Sequence, residues 1–162
     1  MKWSESMNNT IQIRGHHLLD FHILTLLGAD NPTINNLITS YTEAMRQEKI
    51  NQFKKLTENP EYRVQITGSL DYLCSLNCPR LEAKCSSQRS ADIDTFVAEQ
   101  QYGLVVNRTY SAREILEVLK EKPYRSLMIT ISTEGQISEG PLSKRPTLYQ
   151  RITRFFLNKK EN

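Results

Sequence analysis

Apolar residues recur along the chain with two different spacings, one typical of helices and one of strands. Between residues 34 and 45 they lie three, four, seven and eleven positions after Ile34, which places them on one helical face. Between residues 62 and 67 they alternate with polar residues, as in a strand with one buried face. The two spacings together predict a domain that contains both helices and strands.

The first two predicted helices follow from apolar segments and their end signals. Residues 16–27 are apolar on most sides, which indicates a buried helix, and Gly28 is a suitable residue to end it. A second helix is predicted to open at residues 30–33 and to run to about Leu56, before Pro60.

Three more helices are predicted further along the chain. Residues 90–101 have helical character, and residues 111–114 read Ser-Ala-Arg-Glu, the form of a capping box at a helix start. Pro123 closes that helix, and a final helix is predicted at about 147–158.

Short apolar segments predict strands at residues 11–13, 62–67, 104–106 and 127–131. The fold class is therefore α+β, a single small domain with about five helices and three or four short strands. The expected organisation is a flexible tail at 1–10, the α+β domain at 11–143 with a cysteine loop at 71–86, and a basic amphipathic helix at 144–162.

Charge is concentrated at the C-terminus of the sequence. Residues 144–162 contain six basic side chains and one acidic one, whereas the rest of the chain is close to neutral. A basic amphipathic helix can pack on its own domain, which we favour, or bind a protein partner or an anionic membrane surface. Nucleic-acid binding is disfavoured because the basic residues are few and no binding motif accompanies them.

The sequence predicts a cytoplasmic protein. It has neither an apolar run of the roughly 18 residues that a membrane span needs nor an apolar signal core at its start. Its cysteine count is odd, and in a reducing compartment clustered thiols indicate metal ligands before disulfides.

Cys74, Cys78 and Cys85 are the three cysteines of the chain and lie within twelve residues. Cysteine thiolates bind zinc or hold iron–sulfur clusters, so the loop predicts a site for one of these two. Three free thiols, or one disulfide and one thiol, are the alternatives that involve no metal.

Three thiolates leave a four-ligand site incomplete, and the first predicted helix offers the missing ligand. His17, His16 and Asp20 are the candidates, since residues three or four apart share a helix face. Imidazole together with thiolate suits zinc. His22 lies inside an apolar run and is expected to be a core residue instead.

An enzymatic role is not favoured by the sequence. It contains no nucleophile-elbow sequence, phosphate-binding glycine loop or His-Glu-x-x-His motif. Asp92 and Asp94 are expected at a helix start, where carboxylates interact favourably with the helix dipole, and so are not assigned to chemistry.

Three segments resemble a bacterial and archaeal family known as a domain of unknown function, number 1284 in that series. They are Ile-Arg-Gly-His-His-Leu-Leu at 13–19, Asp-Tyr-Leu-Cys-Ser-Leu-Asn-Cys-Pro at 71–79, and Cys85. The similarity covers roughly residues 11–120 and implies a small protein suspected of binding an iron–sulfur cluster. Asp20 stands where the family has a cysteine, and a further cysteine group of the family is missing from this chain. A single zinc ion, or a site that has lost its metal, is therefore as consistent with this sequence as a cluster is.

Two functional hypotheses follow from these observations. The first is a metal-binding protein with a structural or redox role, in which Cys74, Cys78 and Cys85 are joined by a ligand from the first helix. The second is an interaction module without a metal that acts through the basic C-terminal helix.

Overall fold

The computed structural model describes residues 10–38, 42–76 and 87–141. Within these ranges the chain forms five α-helices and two three-stranded sheets, which confirms the prediction of a single small α+β domain. The helices are α1 (Leu18–Leu27), α2 (Ile34–Leu37), α3 (Glu43–Glu58), α4 (Gln88–Phe96) and α5 (Ala112–Lys120). The strands are β1 (Thr10–Arg14), β2 (Arg63–Thr67), β3 (Thr109–Ser111), β4 (Tyr124–Arg125), β5 (Ile129–Ile131) and β6 (Ile137–Glu139).

Among the described residues, three short helical segments supplement these elements. A 3-10 turn at Gly15–His17 joins β1 to α1, and another lies at Tyr72–Ser75 after β2. A π-helical turn at Val97–Gln101 continues α4. Turns of the 3-10 kind are common at helix ends and as connectors, and π-helical turns are frequent at functional sites.

The first sheet has the order β1-β2-β3 and determines where the two 3-10 turns lie. β1 pairs with β2 in parallel, with Ile13 opposite Ile66, and β2 pairs with β3 in antiparallel. Parallel neighbours need a crossover connection, which α1, α2 and α3 supply here. Because the strands run in the same direction, the residues that follow β1 and those that follow β2 emerge at the same edge of the sheet.

The core lies between this sheet and the packed helices α1, α3 and α5. Its centre consists of fully buried aliphatic and aromatic side chains, among them Leu18 and Leu24 of α1, Leu56 of α3 and Ile115 of α5. The ends of β1 and β2 are thereby held by a close-packed framework. Among the described residues, no helix combines the length and the apolar character needed to cross a membrane.

The helix predicted over residues 30–56 is wrong in one respect, because the segment contains the two helices α2 and α3. The backbone at Ile38 is extended, and Thr42 caps α3 by accepting a hydrogen bond at Oγ1 from the Met45 N–H at 3.1 Å. The apolar spacing continues across the break, so it could not reveal the new helix start.

The strand predicted at residues 104–106 is also wrong. That segment has no strand pairing, and β3 forms a few residues later, after a turn in which Asn107 has a positive φ of 68°. The strand predicted at 127–131 is confirmed for β5, which pairs with β4 and β6. The predicted N-terminal tail other than Thr10, the predicted C-terminal helix and most of the cysteine loop lie outside the described residues.

Candidate metal centre

The edge where β1 and β2 end brings together polar side chains from the two 3-10 turns. Arg14 ends β1, and His16 and His17 lie in the turn that follows. Asp71 caps the second turn, with its Oδ1 accepting the Cys74 N–H at 3.3 Å. Local capping thus determines where Asp71 points, and the parallel sheet places it beside the histidines.

His17, Asp71 and Cys74 form a buried group of metal-ligating side chains. His17 Nδ1 lies 2.7 Å from Asp71 Oδ2, and the Cys74 thiol donates to Asp71 Oδ1 at 3.4 Å. One ligand atom from each residue lies within 4.8 Å of the other two. In the part of the chain that the structure describes, this is the one group of three such side chains that could hold an ion.

The charges of this group affect one another. Burial alone would raise the pKa of Asp71, but the charge and hydrogen bond of His17 and the N–H of Arg14 lower it overall. Burial, and then the negative charge of Asp71, raise the pKa of the Cys74 thiol to about 12. Without an ion the thiol is therefore protonated at neutral pH and is a poor nucleophile. A metal that binds Cys74 must displace this proton.

A second buried cluster adjoins the first and is centred on the ion pair of Arg14 with Asp94 of α4. Both side chains are fully buried. Arg14 Nε and Nη2 donate to Asp94 Oδ2 at 2.8 and 2.6 Å, and Nη2 also donates to Ser90 Oγ at 3.0 Å. Arg14 Nη1 lies 3.9 Å from Cys74 Sγ, so the two clusters touch.

Asp94 also holds His16 through two hydrogen bonds. Its Oδ1 accepts the backbone N–H of His16 at 2.9 Å and lies 2.6 Å from His16 Nδ1. Burial would raise the pKa of Asp94, but the hydrogen bonds and charge of His16, together with the bond from Arg14, lower it. Burial would lower the pKa of Arg14, yet the bond and charge of Asp94 raise it. The carboxylate and the guanidinium therefore stay charged.

Gly15 allows these contacts to form. A Cβ atom on this residue would lie only 2.0 Å from the backbone oxygen of Asp94, so no larger residue fits without moving α4. Each residue of the Arg-Gly-His-His string at 14–17 therefore packs against Asp94 or Asp71, and these contacts explain the residue types of the string.

The structure separates the ligands predicted on the first helix. His17 lies beside Cys74, whereas His16 is bound to Asp94 and has a side chain that is 31% exposed. Asp20 lies further along α1, where its Oδ2 is 2.5 Å from Nζ of the buried Lys49. Cys78 and Cys85 lie outside the described residues.

Sequence reasoning missed Asp71, Arg14 and Asp94. Asp71 had a signal, since an aspartate three residues before Cys74 fits an N-cap. The explanation of Asp94 as a helix-start residue was wrong, because Ser87 caps α4 and Asp94 lies nearly two turns further along the helix. No local signal marks Arg14, since its burial depends on an acid eighty residues away.

His22 belongs to the core rather than to this site. Its Nε2 donates to the carbonyl oxygen of Lys122 at 2.8 Å, so its Nδ1 accepts from the hydroxyl of Tyr102 at 2.9 Å. Burial lowers the pKa of His22 and therefore favours this neutral tautomer.

Comparisons with known proteins add no relative of this chain: no family model, no curated protein and no solved structure matches it.

Proposed function

We propose that the protein binds a divalent metal ion, with zinc as the first candidate, at His17, Asp71 and Cys74. The observation that carries the proposal is the burial of three different ligand types within 4.8 Å of one another. Zinc accepts imidazole nitrogen, carboxylate oxygen and thiolate sulfur, whereas calcium and magnesium prefer oxygen alone.

The hydrogen bonds of the group support this role. A neutral His17 that donates from Nδ1 to Asp71 presents the lone pair of Nε2, which is the usual arrangement of a metal-binding histidine. The carboxylate fixes the ring and adds negative charge beside the ion. Asp71 therefore contributes even where it orients His17 instead of binding the ion itself.

The buried charges also suit a divalent ion. With His16 and His17 neutral, the charges of the group are the three negative ones of Asp71, Asp94 and the Cys74 thiolate and the positive one of Arg14. A divalent cation brings the total to zero. Since unbalanced charge is costly in a protein interior, this balance favours one such ion over none once the thiol has lost its proton.

An iron–sulfur cluster is the second candidate, and the cysteine spacing favours it. Cys78 and Cys85 follow Cys74 closely, and a cluster requires several thiolates. In either case the centre would tie the turn after β1 to the turn after β2, which is a structural role, and a cluster would add a redox role.

The proposal extends to family and compartment. We infer a distant relationship to the domain of unknown function numbered 1284, supported by the similar segments at 13–19 and 71–79, both of which contribute residues to the centre. We also infer a cytoplasmic location, because thiolate ligands persist best in a reducing compartment.

Elemental analysis and an absorption spectrum of anaerobically purified protein test the proposal. Stoichiometric zinc without colour supports the zinc site, whereas iron with sulfide and broad visible absorbance supports the cluster.

Cys74→Ser and His17→Gln should lose most of the metal, while His22→Gln, a change at a buried histidine outside the centre, should retain it. A wild-type protein that contains no metal and takes up neither zinc nor iron would refute the proposal.

A further inference from the structure

The guanidinium of Arg14 lies between the carboxylate of Asp94 and the thiol of Cys74. We propose that Arg14 is a positioning residue of the metal centre, which donates a hydrogen bond from Nη1 to the metal-bound thiolate of Cys74. This inference rests on the proposed function and concerns how the chain prepares Cys74 as a ligand.

Geometry is the first argument. Arg14 Nε and Nη2 are bound to Asp94, and Nη2 also reaches Ser90. A guanidinium is planar, so these bonds determine the direction of Nη1 as well. That direction brings Nη1 to 3.9 Å from the Cys74 sulfur. The fully buried pair of Arg14 and Asp94 therefore directs this donor toward the sulfur before any metal binds.

Charge is the second argument. A neutral thiol is a weak acceptor, whereas a thiolate accepts a charge-assisted bond that is roughly twice as strong as a neutral one. Loss of the thiol proton on metal binding would convert the present long contact into such a bond. Arg14 thereby stabilises the thiolate form of Cys74 that a bound metal needs.

A lysine could not reproduce this arrangement. Its single ammonium group cannot bind Asp94, Ser90 and the sulfur of Cys74 from the positions that three guanidinium nitrogens occupy. Arg14→Lys therefore keeps the charge and removes the directed bond. This change separates the proposed role from that of a cation that only neutralises Asp94.

Cobalt-loaded protein provides the first test. In Arg14→Lys we expect the thiolate-to-cobalt charge-transfer band to move to longer wavelength, because a sulfur that has lost its hydrogen bond gives up electrons more readily. We also expect cobalt affinity to fall by about 10- to 100-fold, the usual effect of losing a partner of a metal ligand. Arg113→Lys, at an exposed ion pair with Glu61, is the matched control and should change neither quantity. An unchanged band and affinity in a folded Arg14→Lys would overturn the inference.

Wild-type protein provides a second test that does not depend on the folding of the variant. With NMR-active cadmium bound, a hydrogen bond from Arg14 to the thiolate should give scalar coupling between cadmium and a guanidinium proton of Arg14. Cadmium bound to Cys74 without such coupling would overturn the inference and leave the metal site intact. Failure of the wild type to bind cobalt and cadmium would instead refute the proposed function, and this inference with it.

Discussion

The packing of residues 14–17 depends on the absence of a side chain at Gly15. Gly15 packs so closely on α4 that a methyl group would overlap the backbone oxygen of Asp94, while its neighbours Arg14 and His16 bind the carboxylate of that same residue. Backbone cannot yield as a flexible side chain does, so a small change at Gly15 should disturb the whole cluster.

Gly15→Ala is expected to lower the free energy of unfolding by about 1–3 kcal/mol, the usual cost of overpacking. Chemical denaturation measures it. Gly68→Ala is a matched control, because a Cβ there would meet its nearest neighbour at an ordinary 3.7 Å and should leave stability nearly unchanged. Equal stability of the two variants would contradict the close approach of Gly15 to Asp94.

His22 should make stability depend on pH. Burial holds the pKa of His22 in the folded protein below its ordinary value of 6.5. Below pH 6.5, His22 therefore binds a proton in the unfolded chain before it does so in the folded protein. The contribution of the neutral imidazole to the free energy of unfolding is fully present above pH 6.5. It is lost as the pH falls toward the pKa of His22 in the folded protein.

His22→Gln should reduce this pH dependence, because glutamine does not titrate and its amide can still donate to Lys122 and accept from Tyr102. Urea unfolding at about pH 7.5 and about pH 5.5 measures the difference. If the variant and the wild type lose the same stability between these two pH values, His22 is not the group that causes the pH dependence.

Whole elements are placed by a combination of local and distant contacts. α5 begins at a complete capping box, in which Ser111 Oγ accepts the Glu114 N–H at 3.2 Å and Glu114 Oε2 accepts the Ser111 N–H at 2.7 Å. α3 has a comparable cap at Thr42, but the apolar spacing that runs through it concealed the helix start.

Ser111→Ala should cost about 1 kcal/mol of stability, since it leaves one N–H at the start of α5 without its acceptor. Glu114→Gln is the matched comparison and should cost less, because a glutamine oxygen can still accept the Ser111 N–H. Thermal unfolding of both variants shows which of them loses more stability. A greater loss in Glu114→Gln would show that charge, and not the cap, governs this helix start.

The molecule as a whole is organised by the parallel pairing of β1 with β2. This pairing places the turn with His17 next to the turn with Cys74, although more than fifty residues separate them in the chain. An ion bound between them would act as a cross-link and would stabilise the folded state by mass action.

Zinc should therefore raise the free energy of unfolding of metal-free protein by about 2.7 kcal/mol when its free concentration is about 100 times Kd. Cys74→Ser should abolish most of this gain, whereas His22→Gln should keep it. Thermal unfolding with and without zinc provides the measurement. An equal gain in Cys74→Ser would place the ion elsewhere.

Much of the fold could be predicted because its signals are local. The alternation around Val64, the apolar segment of α1 and the capping box at Ser111 each specify an element within a few residues. The break before Thr42 and the position of β3 were missed, since both depend on which backbone groups find partners in the folded chain and not on apolar spacing.

The candidate site was only half predictable. His17 and Cys74 were singled out by residue type, but residue type could not choose His17 over His16 or Asp20. In the described part of the chain, the tertiary structure places His17 beside Cys74, whereas His16 is bound to Asp94 and Asp20 to Lys49.

By itself, the sequence determined the helices α1, α4 and α5, the strands β1, β2 and β5, and the kinds of side chain that could hold a metal, since spacing and residue chemistry are properties of neighbouring residues. Only the tertiary structure decided that Arg14, Asp71 and Asp94 are buried together beside the thiol. A buried charge is stable only when it is paired, and the partners here are distant in the chain, so no local pattern indicates them.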